Sequence, residues 1–409
     1  MRITAIETIQ TPDLPNLLWM QVHTDAGLVG LGETFRASDA TAAYIHTSCA
    51  PFLLGRDPRQ PARIGEALLH EMGDRFFGYP TRSVELRALS ALDIAFWDIL
   101  GQSLDTPIHA LLGGLCRDRI RGYNTCANPG YNRGAARYGG DLSLPGQGSA
   151  PAERYADYDA AQTRPDDLAL DLLDQGVDAM KIWPFDGFAA ANGGAEIALA
   201  DLRRGVALVE RIRAAAGDRM EILMEYHGRW RLPAAQRIAA ALRPLDILWH
   251  EDPVPMEGLD DLARYRDALG GASWVAGCES HGTRAWFRDA FARGAIDVAL
   301  FDIGWIGGIT EAQRVVALAH AHDRPVAPHD CVGPVVLAAS VHVVMSAPLA
   351  FRQEFVRAYV NGFYRDCVTH LPRIEQGWVH PMQGPGLGTK LHPALLARSD
   401  LRRRVTGAD

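Results

Sequence analysis

Seven short apolar runs lie at near-regular intervals between Ala179 and Phe355, and each ends in or beside a charged side chain: Lys181, Glu225, Glu251, Glu279, Asp302, His329 and Glu354. A parallel strand buried on both faces reads as a continuous apolar run, so a charge at its carboxyl end is poorly explained as core filling. In a (β/α)8 barrel those ends converge on one face, where that fold does its chemistry. Three carboxylates meeting there call for a cation.

Strand and helix alternate from Tyr123 onward. Strands are expected around Tyr123 and at 179–183, 221–227, 245–253, 274–280, 296–304, 325–330 and 349–355, with helical patterns such as LADLRRGVALVERIRAAAG and ITEAQRVVALAHAHD between them. Such alternation implies a parallel sheet. Ahead of it, residues 2–35 read as strand, loop, strand, turn, strand, with Asp25-Ala26-Gly27 as a hairpin turn. Residues 40–99 read as helical, with Leu86, Leu89, Leu92, Ile94, Ala95 and Trp97 crowding one long helix. The 409 residues exceed the roughly 250 of a bare barrel, so a second domain is expected. An α+β domain is placed over 1–118, the barrel over 119–379 and a terminal segment over 380–409. One stretch, Asn124 to Asp166, is rich in Gly, Pro, Asn and Tyr and shows no period. It leaves the carboxyl end of the first barrel strand, which favours an active-site loop over a linker.

Composition narrows the partners. With 41 basic against 49 acidic residues the formal net charge is -8, and no Lys/Arg run offers a surface for nucleic acid or anionic membrane, so a small-molecule partner is expected. The six cysteines show no CxxC spacing and are too sparse for a disulfide framework, which points to a reduced, cytoplasmic setting. The segment MRITAIETIQTPDLPNLLWM lacks a basic-then-apolar signal pattern. No stretch approaches the ~18 uninterrupted apolar residues of a membrane span.

The strand ends define a chemistry. Glu225, Glu251 and Glu279 fall on three adjacent strands and can share one hard cation, for which all-oxygen ligands suit Mg2+. The plainer alternative pairs each acid with a nearby arginine such as Arg229. Asp302 and His329 come from the next two strands, where the acid can hold the imidazole in one tautomer and make it a base. Period-two geometry puts His227 on the same side of its strand as Glu225, giving the site a second imidazole. Lys181 reads as an electrophile beside a substrate carboxylate, against the alternative of a snorkelling surface lysine. Glu354 reads equally as a partner of that substrate end or of Arg352.

Together, Lys181, Glu225-Tyr226-His227-Gly228-Arg229, Glu251-Asp252-Pro253, Gly277-Cys278-Glu279, Asp302 followed by Gly307-Gly308-Ile309-Thr310, Pro328-His329 and Glu354 resemble the mandelate racemase branch of the enolase superfamily. The segment GLVGLGETF, the ALDIAFWDILGQ helix with TPIHALLGG after it, and the late GPGLGTKLHP resemble that family's capping domain. The resemblance spans nearly the whole chain. It implies a modified (β/α)8 TIM barrel with an α+β cap formed by the N-terminal segment and the C-terminal tail. It also implies a homo-oligomer, dimer to octamer, and Mg2+-assisted removal of the proton α to a carboxylate. Within the branch the pattern is most similar to acid-sugar dehydratases of the galactonate dehydratase type. That likeness implies Glu225, Glu251 and Glu279 as metal ligands, His329 supported by Asp302 as base and His227 as acid. Lys181 and Glu354 then face the substrate carboxylate, with Arg229 and Trp183 also on the substrate side. Two positions depart from the branch: the racemases carry a second catalytic lysine where this chain has Trp183, and many relatives use Asp where it has Glu225.

Trp183 separates two reactions. Racemisation needs a base on each face of the enediolate, whereas β-elimination needs one base at the α carbon and an acid at the leaving hydroxyl. His329 and His227 supply the second arrangement, so dehydration of an aldonate or aldarate to a 2-keto-3-deoxy acid is expected. The alternatives are a racemase or epimerase of a 2-hydroxy acid, and a catalytically inactive barrel that binds a sugar acid. Specificity is expected in the segments near 11–17 and 35–38 and in the 124–166 stretch.

Overall fold

A computed structural model of the chain describes residues 1–70, 84–130, 154–190 and 192–407. Three antiparallel strands, β1 (Ile3–Gln10), β2 (Leu17–Thr24) and β3 (Val29–Phe35), open it. The hairpin between β2 and β3 turns through Gly27, whose φ of 75° costs a residue without Cβ little. The chain's last strand, β13 (Arg402–Gly407), returns to pair antiparallel with β1, Thr406 opposite Ile6. This gives a four-stranded sheet in the order β13-β1-β2-β3.

The helix Val84–Ser103 lies across β3. Ala88, Ala91, Leu92, Ala95, Phe96 and Ile99 recur at three- and four-residue spacing and join the sheet's core, while Ile94 and Trp97 join the barrel's. Sandwiched this way, almost no face of the helix is left to water. The approach is close: a Cβ on Gly32 would stand 1.9 Å from the Ala91 carbonyl oxygen, and one on Gly30 2.2 Å from that of Ala95. Between this helix and β3 the helical region is broken. The Ala50–Leu53 turn stops before Gly55 (φ 78°), and Pro61 starts a new helix, Pro61–His70. Residues 71–83, also expected to be helical, lie outside the described residues.

The barrel runs β4 (Ile120–Thr125), β5 (Ala179–Ile182), β6 (Glu221–Glu225), β7 (Ile247–Glu251), β8 (Trp274–Gly277) and β9 (Val298–Ala299), each parallel to the next. Beyond β9 the ladder thins to isolated parallel bridges, Ala299 with Val326, Asp302 with His329 and Val326 with Ala350. The strand β10 (Gln353–Phe355) then closes the barrel on β4. The strands expected at 296–304, 325–330 and 349–355 are therefore shorter than their apolar runs. Pro325 and Pro328 lack the N–H a continuous ladder needs. Among the described residues, seven helices of ten residues or more separate the strands, from Pro165–Asp174 to Pro334–Ser346. After β10, only the four-residue helices Arg357–Val360 and Tyr364–Cys367 occupy the eighth position. A hairpin of β11 (Ile374–Glu375) and β12 (Trp378–Val379) then pairs antiparallel with the start of β4.

Inside the barrel, Tyr123, Ala179, Leu223, Trp249, Ala276, Val298, Leu300 and Ala327 form one apolar cluster. Lys181, Glu225, Glu251, Asp302 and His329 each stand two residues beyond a member of that cluster, so the period of two along a strand puts them on its inward face. Glu279, three beyond Ala276 and past the end of β8, is the exception.

The aperiodic stretch 124–166 is not devoid of structure. Residues 131–153 lie outside the described residues, but Asp157–Thr163 is helical and Pro165 begins the next helix. Seven residues are too few to display a helical period in sequence, and Pro165 at a first helical turn marks a start more than a loop. Asp157 anchors this return. Its carboxylate accepts from Arg357 Nε and Nη2, both at 2.7 Å, and from Asn124 Nδ2 at 2.9 Å. No helix among the described residues is long and apolar enough to cross a membrane.

Candidate active site

One oxygen from each of Glu225, Glu251 and Glu279 lies within 4.8 Å of the others. Glu225 and Glu251 are in register at the ends of β6 and β7. The Glu225 Oε1 atom accepts the backbone N–H groups of Tyr226 (2.9 Å) and His227 (2.6 Å), while Oε2 is buried with no hydrogen-bond partner among the described residues. Burial, then the neighbouring Glu251, pushes the Glu225 carboxyl well above the usual range. A buried carboxylate oxygen with no donor, beside two more acids, is a place where a divalent cation lowers the electrostatic cost.

Lys181 is buried among these acids, so it is not a surface lysine. Its Nζ lies 2.6 Å from Glu251 Oε1, 3.0 Å from Glu354 Oε1 and 3.7 Å from Glu225 Oε2. Burial opposes its charge, but Glu251 and Glu354 hold the ammonium well above its ordinary pKa. Glu354 also accepts from the Tyr123 hydroxyl at 3.1 Å, from Thr125 Oγ1 and from the Asp330 N–H at 2.7 Å. The alternative pairing of Glu354 with Arg352 is not formed, because Arg352 turns to Asp178 at 2.7 Å. The arginine suggested as a partner for these acids turns elsewhere: Arg229 Nε stands 3.3 Å from Asp186 Oδ2.

His329 and Asp302 meet as the strand order requires. The imidazole Nδ1 is 2.7 Å from Asp302 Oδ2, and Nε2 is 2.9 Å from Glu279 Oε2. Although burial works against a charged ring, Glu279, Glu354 and Asp302 raise His329 well above its ordinary pKa. Burial likewise opposes ionisation of Glu279, but the His329 ring holds that carboxyl well below its usual range. Trp305 leans over the imidazole with ring centroids 5.3 Å apart.

His227 reaches the site by a turn, not by strand periodicity. The strand β6 ends at Glu225, and His227 takes a left-handed conformation (φ 48°) just beyond it. Its Nδ1 lies 2.6 Å from Asp186 Oδ2, and the Trp183 ring meets it edge-on at 5.6 Å. Lys181, Trp183, His227, Glu279 and His329 line one narrow cleft, which the first domain covers with Phe35 and Arg36. Neither Arg229 nor any residue of the 11–17 segment lines it. A much larger cavity of about 770 Å³, flanked by Arg357, Arg365 and Arg373, contains none of the strand-end acids, so here chemistry identifies the site where size does not.

Tyr123, Thr125, Asp186 and Trp305 are absent from the sequence-based candidates. Asp186 had a signal: it is an acid four residues past the end of β5, at the close of the apolar Ile182-Trp183-Pro184-Phe185 run. Asp252 and Asp330 are further buried acids. Asp252 Oδ1 and both Asp330 carboxylate oxygens have no hydrogen-bond partner among the described residues, and burial and neighbouring acids push both groups well up.

With this geometry in view, the comparisons with known proteins agree over the whole chain. Residues 3–113 match the mandelate racemase / muconate lactonizing enzyme N-terminal domain, and residues 166–395 match the enolase C-terminal domain-like family. A D-galactonate dehydratase of Verminephrobacter eiseniae is 31% identical, covering 97% of this chain and 94% of that protein. One from Ralstonia nicotianae is 30% identical with the same coverage. Among solved structures, an enolase of the mandelate racemase subgroup from Agrobacterium tumefaciens superposes with a TM-score of 0.87 at 39% identity, covering 100% of this chain and 99% of that one. The chain belongs to the mandelate racemase / muconate lactonizing enzyme family of the enolase superfamily, as a hydro-lyase.

Proposed function

We propose that this enzyme dehydrates a sugar acid, an aldonate or aldarate, to a 2-keto-3-deoxy acid with the help of Mg2+. The observation that most supports this reading is the pair of imidazoles on one cleft, His329 backed by Asp302 and His227 backed by Asp186. The substrate carboxylate lies toward Lys181, whose ammonium offsets the negative charge that grows as the α proton leaves. His329 takes that proton from C2. The electron pair of the resulting enediolate then forms the C2–C3 double bond as the C3–O bond breaks. His227 protonates the departing oxygen so that it leaves as water, and the enol tautomerises to the keto acid.

Glu225, Glu251 and Glu279 would hold the Mg2+, an all-oxygen donor set that suits a hard cation. When bound, it would supply positive charge that makes the α proton more acidic. Trp183 favours elimination over racemisation, since it fills with an apolar ring the position where a second lysine would act as the opposing base. The relatives' names place D-galactonate first in a panel of aldonic and aldaric acids. Incubation with that panel and Mg2+ should yield an α-keto acid detectable as its semicarbazone. If every acid that reacts gives only its C2 epimer, the enzyme is an epimerase.

A further inference from the structure

We propose that Asp186 is the positioning residue for the general acid: its carboxylate holds the Nδ1–H of His227, so that the proton delivered to the leaving hydroxyl is the one on Nε2. This rests on the dehydratase reading and names how its acid is held. Asp186 is fully buried, with Oδ2 2.6 Å from His227 Nδ1 and its other oxygen, Oδ1, without a hydrogen-bond partner among the described residues. Arg229 forms an ion pair with the same Oδ2 at 3.3 Å. It therefore connects to the cleft through Asp186.

The surroundings fix both partners. Phe185, next to Asp186, is wholly buried against the helix Leu199–Ala216, packed so closely on Gly205 that a Cβ there would stand 2.2 Å from the Phe185 ring. On the other side, the His227 backbone N–H is tied to Glu225 Oε1 at 2.6 Å, and Trp183 abuts the ring edge-on. With Nδ1 occupied, Nε2 is the ring nitrogen left for the cleft. In the elimination step Nε2 gives its proton to the C3 oxygen, the C3–O bond breaks with its electron pair on that oxygen, water departs, and the neutral ring keeps the Nδ1 proton on Asp186. Without the carboxylate, the ring is free to carry its proton on the wrong nitrogen or to turn away.

The test compares three rates in Asp186→Asn and Asp186→Ala. They are formation of the α-keto acid, exchange of the α proton in D2O, and release of fluoride from the 3-deoxy-3-fluoro analogue of D-galactonate, or of whichever panel acid is dehydrated. Fluoride leaves without needing a proton. Keto-acid formation should fall by roughly 100-fold or more, the scale of a lost general acid, while exchange and fluoride release stay near wild type. Asp186→Asn preserves the side-chain volume and serves if Asp186→Ala does not fold. Wild-type dehydration by Asp186→Asn overturns the inference, as does a parallel loss of all three rates, which would make Asp186 a structural residue. His227→Asn run alongside separates the two levels. Normal dehydration there removes the acid role of His227 itself, whereas an inactive His227→Asn beside an active Asp186→Asn removes only Asp186.

Discussion

The Asp302 carboxylate and the His329 imidazole, 27 positions apart in sequence, stand 2.7 Å from each other across an isolated parallel bridge that pairs the same two residues. Backbone pairing thus sets the height of both side chains, and the second Asp302 oxygen is fixed by the Gly304 N–H at 2.7 Å. A carboxylate held at both oxygens orients the ring without having to move. His227 and Asp186 repeat the arrangement at 2.6 Å, but beyond the strand ends: Asp186 opens the short helix Asp186–Ala189 after β5, and His227 sits in the turn after β6.

His329→Asn is expected to abolish exchange of the substrate α proton with D2O, because no other imidazole stands at that end of the cleft among the described residues. Asp302→Asn should retain the ring but lower exchange by roughly 100-fold, the usual scale for a base with its orientation lost. Loss of the α-proton NMR signal in D2O reads both. Exchange at the wild-type rate in His329→Asn would assign the base elsewhere.

Metal removal should act on stability as well as on rate. Glu225, Glu251 and Glu279 crowd together beside the Lys181 ammonium, which compensates them only in part, so Mg2+ should raise the melting temperature by relieving their repulsion. EDTA is expected to abolish dehydration and Mg2+ to restore it. Glu251→Gln should lose most of the activity and show a smaller Mg2+-dependent rise in melting temperature. Full activity in excess EDTA would contradict the assignment.

Much of this site was legible in the chain because the barrel turns a one-dimensional pattern into a ring. An apolar run ending in a charge, repeated at strand intervals, is sufficient to bring Lys181, Glu225, Glu251, Asp302 and His329 to one face. The illegible part sits where that periodicity stops. The partner of His227 depends on the course of the chain after Ile182, and strand alternation says nothing about a turn. Glu354 was ambiguous because its neighbour Arg352 offers a partner two residues away, and only the three-dimensional position of Asp178 removes it. Arg229, beside His227 in sequence, looked like a substrate contact, but it is one step removed, on Asp186.

The seating of the first domain depends on two glycines, Gly30 and Gly32. Gly32→Ala would set a Cβ 1.9 Å from the Ala91 carbonyl oxygen, backbone that has no rotamer by which to give way. The helix Val84–Ser103 would have to lift from β3, at a cost of about 1–3 kcal/mol or more for overpacking. The same helix reaches the barrel through Asp93, which accepts from the Thr310 N–H at 2.9 Å. A lower melting temperature should therefore come with a raised KM. A fully stable Gly32→Ala would show that the helix can lift from β3 at little cost.

The acid limb of stability should depend on His342. This residue is buried on the helix Pro334–Ser346, where its Nδ1 accepts the His109 N–H at 3.1 Å and its Nε2 donates to the Leu387 carbonyl at 3.2 Å. The first contact requires the neutral ring, whereas the second forms with either charge state; burial, then the neighbouring His109, outweighs the Leu387 carbonyl and pushes the pKa down to about 3 from 6.5. The folded protein therefore binds fewer protons here than the unfolded chain at any pH between those two values. Its contribution is fully present above about pH 6.5 and is lost as the pH falls toward 3. Between pH 6.5 and 5 this amounts to on the order of 1 kcal/mol, since one pKa unit corresponds to about 1.4 kcal/mol. His342→Gln keeps a donor and an acceptor but cannot take up the proton, so its melting temperature should fall less steeply over that interval than that of the wild type. Equal slopes in the two proteins would place the acid sensitivity in other groups.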